Sequence, residues 1–317
     1  MTANASQNGA RRRGRAFSMS NLKVKLRKIV QDPRWRILKP PISKVLAVMR
    51  PSRIVRVLAS PPSINTPKES ITVISANLWH DWPLRRKLWG RMESFAQLIE
   101  AEGADVVLLQ EVVRSTSLNV DDWLAERLGM GFVYSRANGD GDAIGFEEGL
   151  AVFSRYPLSA PRVITLGEWD GLTRRIALAA EINSPFGALL VISVHLGLIP
   201  RKNVRQWDDL RTWVTDMSGG RTTLIGGDFN AHEKTHQVYR AQHEWVDTFR
   251  TIHPDVDGTT HGFQWPWGGS WLRRRLDYIF LRQGNEPLAV ADAKHIQAPL
   301  EAHSDHRAVV ARLMYGK

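Results

Sequence analysis

The chain has 317 residues, 43% of them hydrophobic and 24% charged, with a net charge of +11 and no cysteine. That balance fits a globular protein and excludes a wholly disordered one. The missing thiols exclude disulfide partners, thiolate metal sites and cysteine nucleophiles.

The first 68 residues hold 16 Lys and Arg against the single acid Asp32, while residues 69–317 hold 27 basic and 31 acidic residues. The whole basic excess therefore sits in a leader, and the expected domains are 1–68, disordered or short-helical, and 69–317, folded. Leu22–Val30 and Ile42–Met49 have the pattern of short basic amphipathic helices, interrupted at Pro33, Pro40, Pro41 and Pro51. Residues 11–56 suit contact with an anionic membrane or another polyanion, and a solvating tail is the plainer alternative. The leader lacks the apolar stretch of a secretory signal, and no apolar run approaches the ~20 residues of a membrane span. The expectation is a cytoplasmic protein, with organellar targeting by the Arg-rich leader as the alternative.

In the body, Ile71–Ala76 reads as a strand. Pro83 opens a helix carrying Leu84, Leu88, Met92, Phe95 and Ile99 at helical spacing, with Gly103 as its stop. Val106–Leu109 reads as a buried strand, which completes a strand–helix–strand unit. Further strands are expected at Leu150–Ser154, Ile176–Ile182, Leu189–His195, Thr222–Gly226, Leu276–Leu281 and Ala308–Leu313. Helices are expected at Val120–Leu128 and Val204–Met217. Short turns join many of the later strands, so the sheet should be mixed.

Chemistry collects at the strand ends. The apolar runs finish at Asn77, Gln110-Glu111, His195 and Asp228-Phe229-Asn230, and Ser304-Asp305-His306 precedes the last strand. Such ends can converge on one cleft above a layered sheet. Asp228 and Asn230, two apart in extended backbone, share a face, and Gly226 and Gly227 leave room for a close backbone approach. An oxygen-rich set of Asn, Glu and Asp suits Mg²⁺ or Mn²⁺, and imidazoles beside it can serve a phosphate displacement. Taken singly, each residue also has a plain role, as a turn cap, a solvated strand end or a hydrogen-bonded core histidine.

Seven stretches in order resemble the endonuclease/exonuclease/phosphatase superfamily, the deoxyribonuclease-I-like fold. They are Ser75-Ala76-Asn77-Leu78-Trp79, Leu108-Leu109-Gln110-Glu111-Val112, Gly149 to Pro157, Ser193-Val194-His195-Leu196, Gly226-Gly227-Asp228-Phe229-Asn230, Arg275-Leu276-Asp277-Tyr278 and Ser304-Asp305-His306. The resemblance spans residues 71–314 and omits the leader. It implies a four-layered α/β/β/α sandwich of two mixed sheets and Mg²⁺-dependent hydrolysis of a phosphate ester by water. By position, Asn77, Glu111 and Asp305 resemble the metal ligands. Asp228 resembles the residue that orients or deprotonates the water, with Asn230 in support. His306, held by Asp277, would contact the scissile phosphate. His195 would face the leaving oxygen, with Glu148 as the candidate to orient it. His195 stands where the abasic-site endonucleases commonly have Tyr, and Arg307-Ala308-Val309 where they have Cys-Pro. Both departures favour the branch that holds deoxyribonuclease I and the sphingomyelinases.

Substrate signals are thinner. Trp265, Trp267 and Trp271 crowd a Pro/Gly loop before Arg273–Arg275, and such aromatics can stack bases, enter a lipid interface or pack beneath a loop. Arg155 and Arg174 or Arg175 are candidate phosphate contacts, and Trp79 and Trp82 could wall the cleft. Nucleic acid is the favoured substrate, phospholipid or phosphoinositide the alternative, and a non-catalytic polyanion binder the third reading. His232-Glu233-Lys234-Thr235-His236 matches the zinc-protease pattern but lacks its long apolar helix, so a polar loop is expected there.

Overall fold

The computed structural model describes residues 54–58, 68–81, 84–167, 173–264 and 270–315. Its frame is two βαβ units. In the first, Ser70–Asn77 (β2) and Val106–Ser115 (β3) pair in parallel, and Leu88–Ala101 (α1) crosses between them. In the second, Gly187–His195 (β8) and Thr223–Asp228 (β9) do the same around Pro200–Ser218 (α4).

Antiparallel strands extend each unit. Ile54–Leu58 (β1), Gly131–Asp140 (β4), Phe146–Ser154 (β5), Leu288–Ile296 (β14) and Ala308–Tyr315 (β15) complete a seven-stranded sheet, ordered β1-β4-β5-β3-β2-β15-β14. Leu158–Thr165 (β6), Ile176–Ser184 (β7), Val246–Asp247 (β10) and Asp277–Arg282 (β13) complete a six-stranded one, ordered β10-β13-β9-β8-β7-β6. His261–Gln264 (β11) and Ser270–Arg274 (β12) form a separate hairpin. The remaining helices are Val120–Leu128 (α2), Gly141–Ile144 (α3), His236–Glu244 (α5) and Thr248–Ile252 (α6).

Strand alternation builds the layers. Val106 and Leu108 of β3 face inward to meet Leu178, Val191 and Ile279 of the other sheet. Val107 and Leu109 turn the other way, against Met92, Phe95 and Ile99 of α1. On the second sheet's outer face, Val194, Ile225 and Phe229 pack on Trp207, Leu210 and Val214 of α4. The result is the expected α/β/β/α sandwich of two mixed sheets. Among the described residues no helix is long and apolar enough to cross a membrane.

Three local readings differ. Ile54–Leu58, counted with the leader, is the edge strand β1, antiparallel to β4. Its β-branched residues outweigh the basic composition around it. The rest of residues 1–67, and so the expected leader helices, lies outside the described residues. Helix α1 begins at Leu88 rather than at Pro83, because Asp81, Arg85 and Lys87 hold left-handed backbone and leave Leu84 exposed. Strands β4, β6, β10, β11, β12 and β14 are additional. β6 and β14 are sheet edges, largely half-buried or exposed, so the apolar run that marks an interior strand is absent.

Near one rim the two sheets approach closely. A Cβ on Gly226 would lie 2.7 Å from Leu108 Cδ1 and 3.0 Å from Ser75 Cβ. Gly226→Ala should therefore overpack this contact and lower the unfolding free energy by about 1–3 kcal/mol, read by urea denaturation. Wild-type stability in this variant would contradict the close approach.

Candidate active site

Both parallel pairs deliver polar residues at their C-terminal ends, and both ends lie on that rim. Asn77 closes β2 beside Gln110 of β3. In the facing sheet His195 of β8 and Asp277 of β13 flank Asp228 of β9 in register, so three polar residues stand side by side. The Asn77 amide bridges the sheets, donating to Asp228 Oδ2 and to Glu111 Oε1, each at 3.1 Å. Glu111 reaches the rim through a β-bulge. Two residues of β3 oppose one of β5 there, and Glu111 itself has φ +56°. Its other oxygen accepts the His80 backbone N–H at 2.9 Å.

The imidazoles carry opposite charge preferences. His306 Nδ1 lies 2.8 Å from Asp277 Oδ2, which also accepts the Thr260 hydroxyl at 2.6 Å. Burial opposes charge on His306, but Asp277 and Asp228 outweigh it and raise its pKa to about 10. His195 Nε2 is 3.6 Å from Asp228 Oδ2, and His306 Nε2 is 3.9 Å from the same oxygen. Burial, then the charges of Arg175 and His306, hold His195 well below its ordinary value. Asp228 is pushed up to about 7 by burial and by Asp277, against the pull of His306 and its N–H donors.

Carboxylate and amide oxygens dominate the pair Asn77–Glu111, and hard divalent cations take such donors. Two further sets of ligand atoms, His261–Asp305–His306 and Asp228–Asp277–His306, each fall within 4.8 Å of one another. The residues present fit a divalent cation.

The family model for the Endonuclease/Exonuclease/phosphatase family matches residues 74–306. The chain belongs to this family. YbhP of Escherichia coli K12, an uncharacterised protein, is 30% identical over 205 residues, covering 59% of this chain and 75% of that one. The fold is similar to an endonuclease/exonuclease/phosphatase family protein from Leptotrichia buccalis, with TM-score 0.64 and 20% identity over 77% of this chain and all of the other. It is also similar to Danio rerio TDP2 complexed with single strand DNA product, with TM-score 0.61 and 16% identity over 78% of this chain and 99% of that one.

Within this family frame, several expected site residues take different places. Asn230, at φ +48°, supports Asp228 through its backbone N–H at 2.9 Å, and its side chain donates instead to Leu196 O. Glu148 makes no bond to His195. Asn138 donates to its carboxylate, and burial raises its pKa. Its neighbour Glu147 turns to Arg114 and Arg136. Asp305 is exposed and groups with His261 and His306 rather than with Glu111. Arg155 is a correction. It follows the far end of β5 and donates to Ala104 O at the opposite rim, because β5 runs antiparallel to β3. Arg175 precedes the Ile176 partner of His195, acts electrostatically on both His195 and Glu148, and has a buried Nε without a partner. Trp265 and Trp267 lie outside the described residues, as does Trp82, and Trp271 falls in β12. The Trp79 ring faces the guanidinium groups of Arg86 and Arg91 at 5.3 and 5.0 Å.

Some supports carry no motif. Arg91, buried on α1, donates to Leu78 O, Trp79 O and His303 O, tying the loop after Asn77 to the loop before Asp305. His261 stacks on His306 with ring centroids 4.2 Å apart. The zinc-protease look-alike is a turn leading into α5. Glu233 is held by Arg250 at 2.8 and 2.9 Å and lies 3.5 Å from Arg275.

Asp277→Asn removes the charge that holds His306 protonated. NMR titration should find the ring near pKa 10 in the wild type and shifted toward 6.5 or below in the variant. Because the folded value lies above the unfolded one, the associated stability is full below pH 6.5 and is lost as pH rises through about 10. The variant should lack that loss, and an unchanged titration would contradict the pairing.

Proposed function

We propose that this family member is a divalent-cation-dependent phosphodiesterase that hydrolyses its substrate by in-line attack of water. The observation that carries this reading is Asp228, one buried carboxylate within 4 Å of two imidazoles and bonded to the amide of Asn77. A base with pKa about 7 suits proton abstraction near neutral pH. In the reaction Asp228 takes the proton of the attacking water. His306, already protonated, stabilises charge on the non-bridging oxygens. His195 is neutral in the free protein. An anionic phosphate offsets Arg175 and His306, so His195 takes a proton from solvent as substrate binds and gives it to the leaving oxygen, and Asp228 returns the attacking water's proton to solvent after the product leaves.

Asn77 and Glu111 would hold the cation, with Mg²⁺ the best match to their oxygens and Mn²⁺ an acceptable substitute. Bound there, the ion supplies Lewis-acid polarisation of a phosphoryl oxygen. The complete set of acid, base and ligand-type side chains supports an enzyme over a non-catalytic polyanion binder.

The sequence favours nucleic acid, and the similarity to TDP2 complexed with single strand DNA product is consistent with it. Yet a Bacteroides thetaiotaomicron mannosyl-6-phosphatase has a similar fold, with TM-score 0.60, so the fold alone does not choose the ester. Among the candidate substrate contacts, Arg175 acts on both His195 and Glu148, which supports an anionic substrate beside them.

With bis(p-nitrophenyl) phosphate as substrate, EDTA should abolish turnover and Mg²⁺ restore it. Asp228→Asn should lower kcat by about 10²–10⁴-fold with circular dichroism unchanged. Near-normal turnover in that variant would refute the assigned base.

A further inference from the structure

Just past His195 the chain presents an unusual surface. Leu196 and Gly197 are buried, but Leu198 and Ile199 are 62% and 46% exposed, and Val204 one turn into α4 is 39% exposed. Scattered exposed aliphatics are ordinary on any protein, but three within seven residues form a patch. Three cations accompany them: Arg201, Lys202 and Arg205. Arg201 and Arg205 are exposed and make no ion pair among the described residues. The nearest following acid, Asp208, is engaged by Arg211 and Arg240.

The patch is fixed rather than folded back. Asn203 donates to Gly197 O at 2.7 Å and Phe229 O at 2.9 Å, and Gln206 accepts the Gly197 N–H at 2.7 Å. Behind it the core is filled by Trp207, Leu210 and Phe229. On the other lip, after Asn77, Leu84 is 68% exposed. The Asn77–Asp228 bond joins the strand end that precedes Leu84 to the neighbour of His195 in the facing sheet.

We propose that this cleft works at the surface of an anionic lipid bilayer, with Leu198, Ile199 and Val204 entering the interface and Arg201, Lys202 and Arg205 meeting lipid phosphates. The proposal rests on the phosphodiesterase reading of the same site and names where its substrate is presented. Nucleic acid would use the cations but gains nothing from exposed aliphatic chains. A bilayer uses both, since apolar side chains enter the acyl boundary while Lys and Arg are drawn to anionic headgroups.

The test uses the full chain and vesicles of phosphatidylcholine with or without phosphatidylglycerol, read by co-sedimentation. The wild type should bind the anionic vesicles, and Leu198→Asp/Ile199→Asp should lower partitioning by about tenfold or more. Arg201→Glu/Arg205→Glu should lower it as well, with a flatter salt dependence. Both double variants should hydrolyse bis(p-nitrophenyl) phosphate at the wild-type rate, which shows that they fold. Unchanged partitioning in the aspartate variant would overturn the proposal. So would a single-stranded oligonucleotide bound by a protein that ignores vesicles, with charge reversal alone weakening it. Absent turnover of the small diester by the wild type would count against the phosphodiesterase reading instead, because vesicle binding is measured without catalysis.

Discussion

The site depends on how closely two β-sheets can be brought together at one end. Packed sheets ordinarily stand about 10 Å apart, filled by interleaved side chains. Here Gly226 contributes no side chain where Ser75 and Leu108 press from the other sheet. Just beyond it, polar bonds replace hydrophobic contact. Ser193 Oγ donates to Leu109 O and accepts from Gln110 Nε2, and Asn77 reaches Asp228. A wider gap would leave Asp228 buried with no amide across from it, and burying a lone carboxylate is costly. The close packing of the core is thus what lets an acid, a base and a cation-holding pair share one small space.

That space is electrically tense, and backbone geometry pins it. Asp228 and Asp277 are buried neighbours in register, and His306 between them relieves the repulsion by taking a proton. Glu111 and Asn230 both adopt left-handed backbone, a conformation costing roughly 1–3 kcal/mol at a non-glycine residue. Each aims a side chain that a regular strand would turn away. Arg91 adds a clamp from behind, its guanidinium holding carbonyls of both rim loops. Charge and strain at the rim are borne by apolar layers formed from the same strands a few residues earlier.

Much of this was legible from the residues, and the exceptions share a cause. Asn77, His195, Asp228 and Asp277 each end or begin a strand with an apolar run, and Glu111 and His306 lie within two residues of such a run, so periodicity and chemistry point to the same positions. Glu148 lies against Asn138 rather than His195, and Asn230 meets Asp228 through its backbone N–H while a positive φ turns its side chain to Leu196 O, and neither arrangement leaves a trace in spacing. Arg155 follows a strong apolar strand too, but strand direction puts it at the opposite rim, and direction is a property of pairing rather than of the local sequence. Arg91, Asn138 and Thr260 were silent because each works through a long-range bond to another segment.

Charge placement bears on how such a cleft finds its ester. Residues 69–317 carry an acidic excess of four, so the body as a whole repels an anionic partner. Attraction from the body therefore has to be local, and screening confines it to about 8–10 Å at physiological salt. Arg175 lies within the cleft, and Arg201, Lys202 and Arg205 stand on its lip, where a short-range cationic field has the most effect on orientation. The exposed aliphatics among those lip cations add an attraction that salt does not screen. A surface offering phosphate charge and hydrocarbon at the same depth satisfies both, whereas a phosphate chain in water satisfies one.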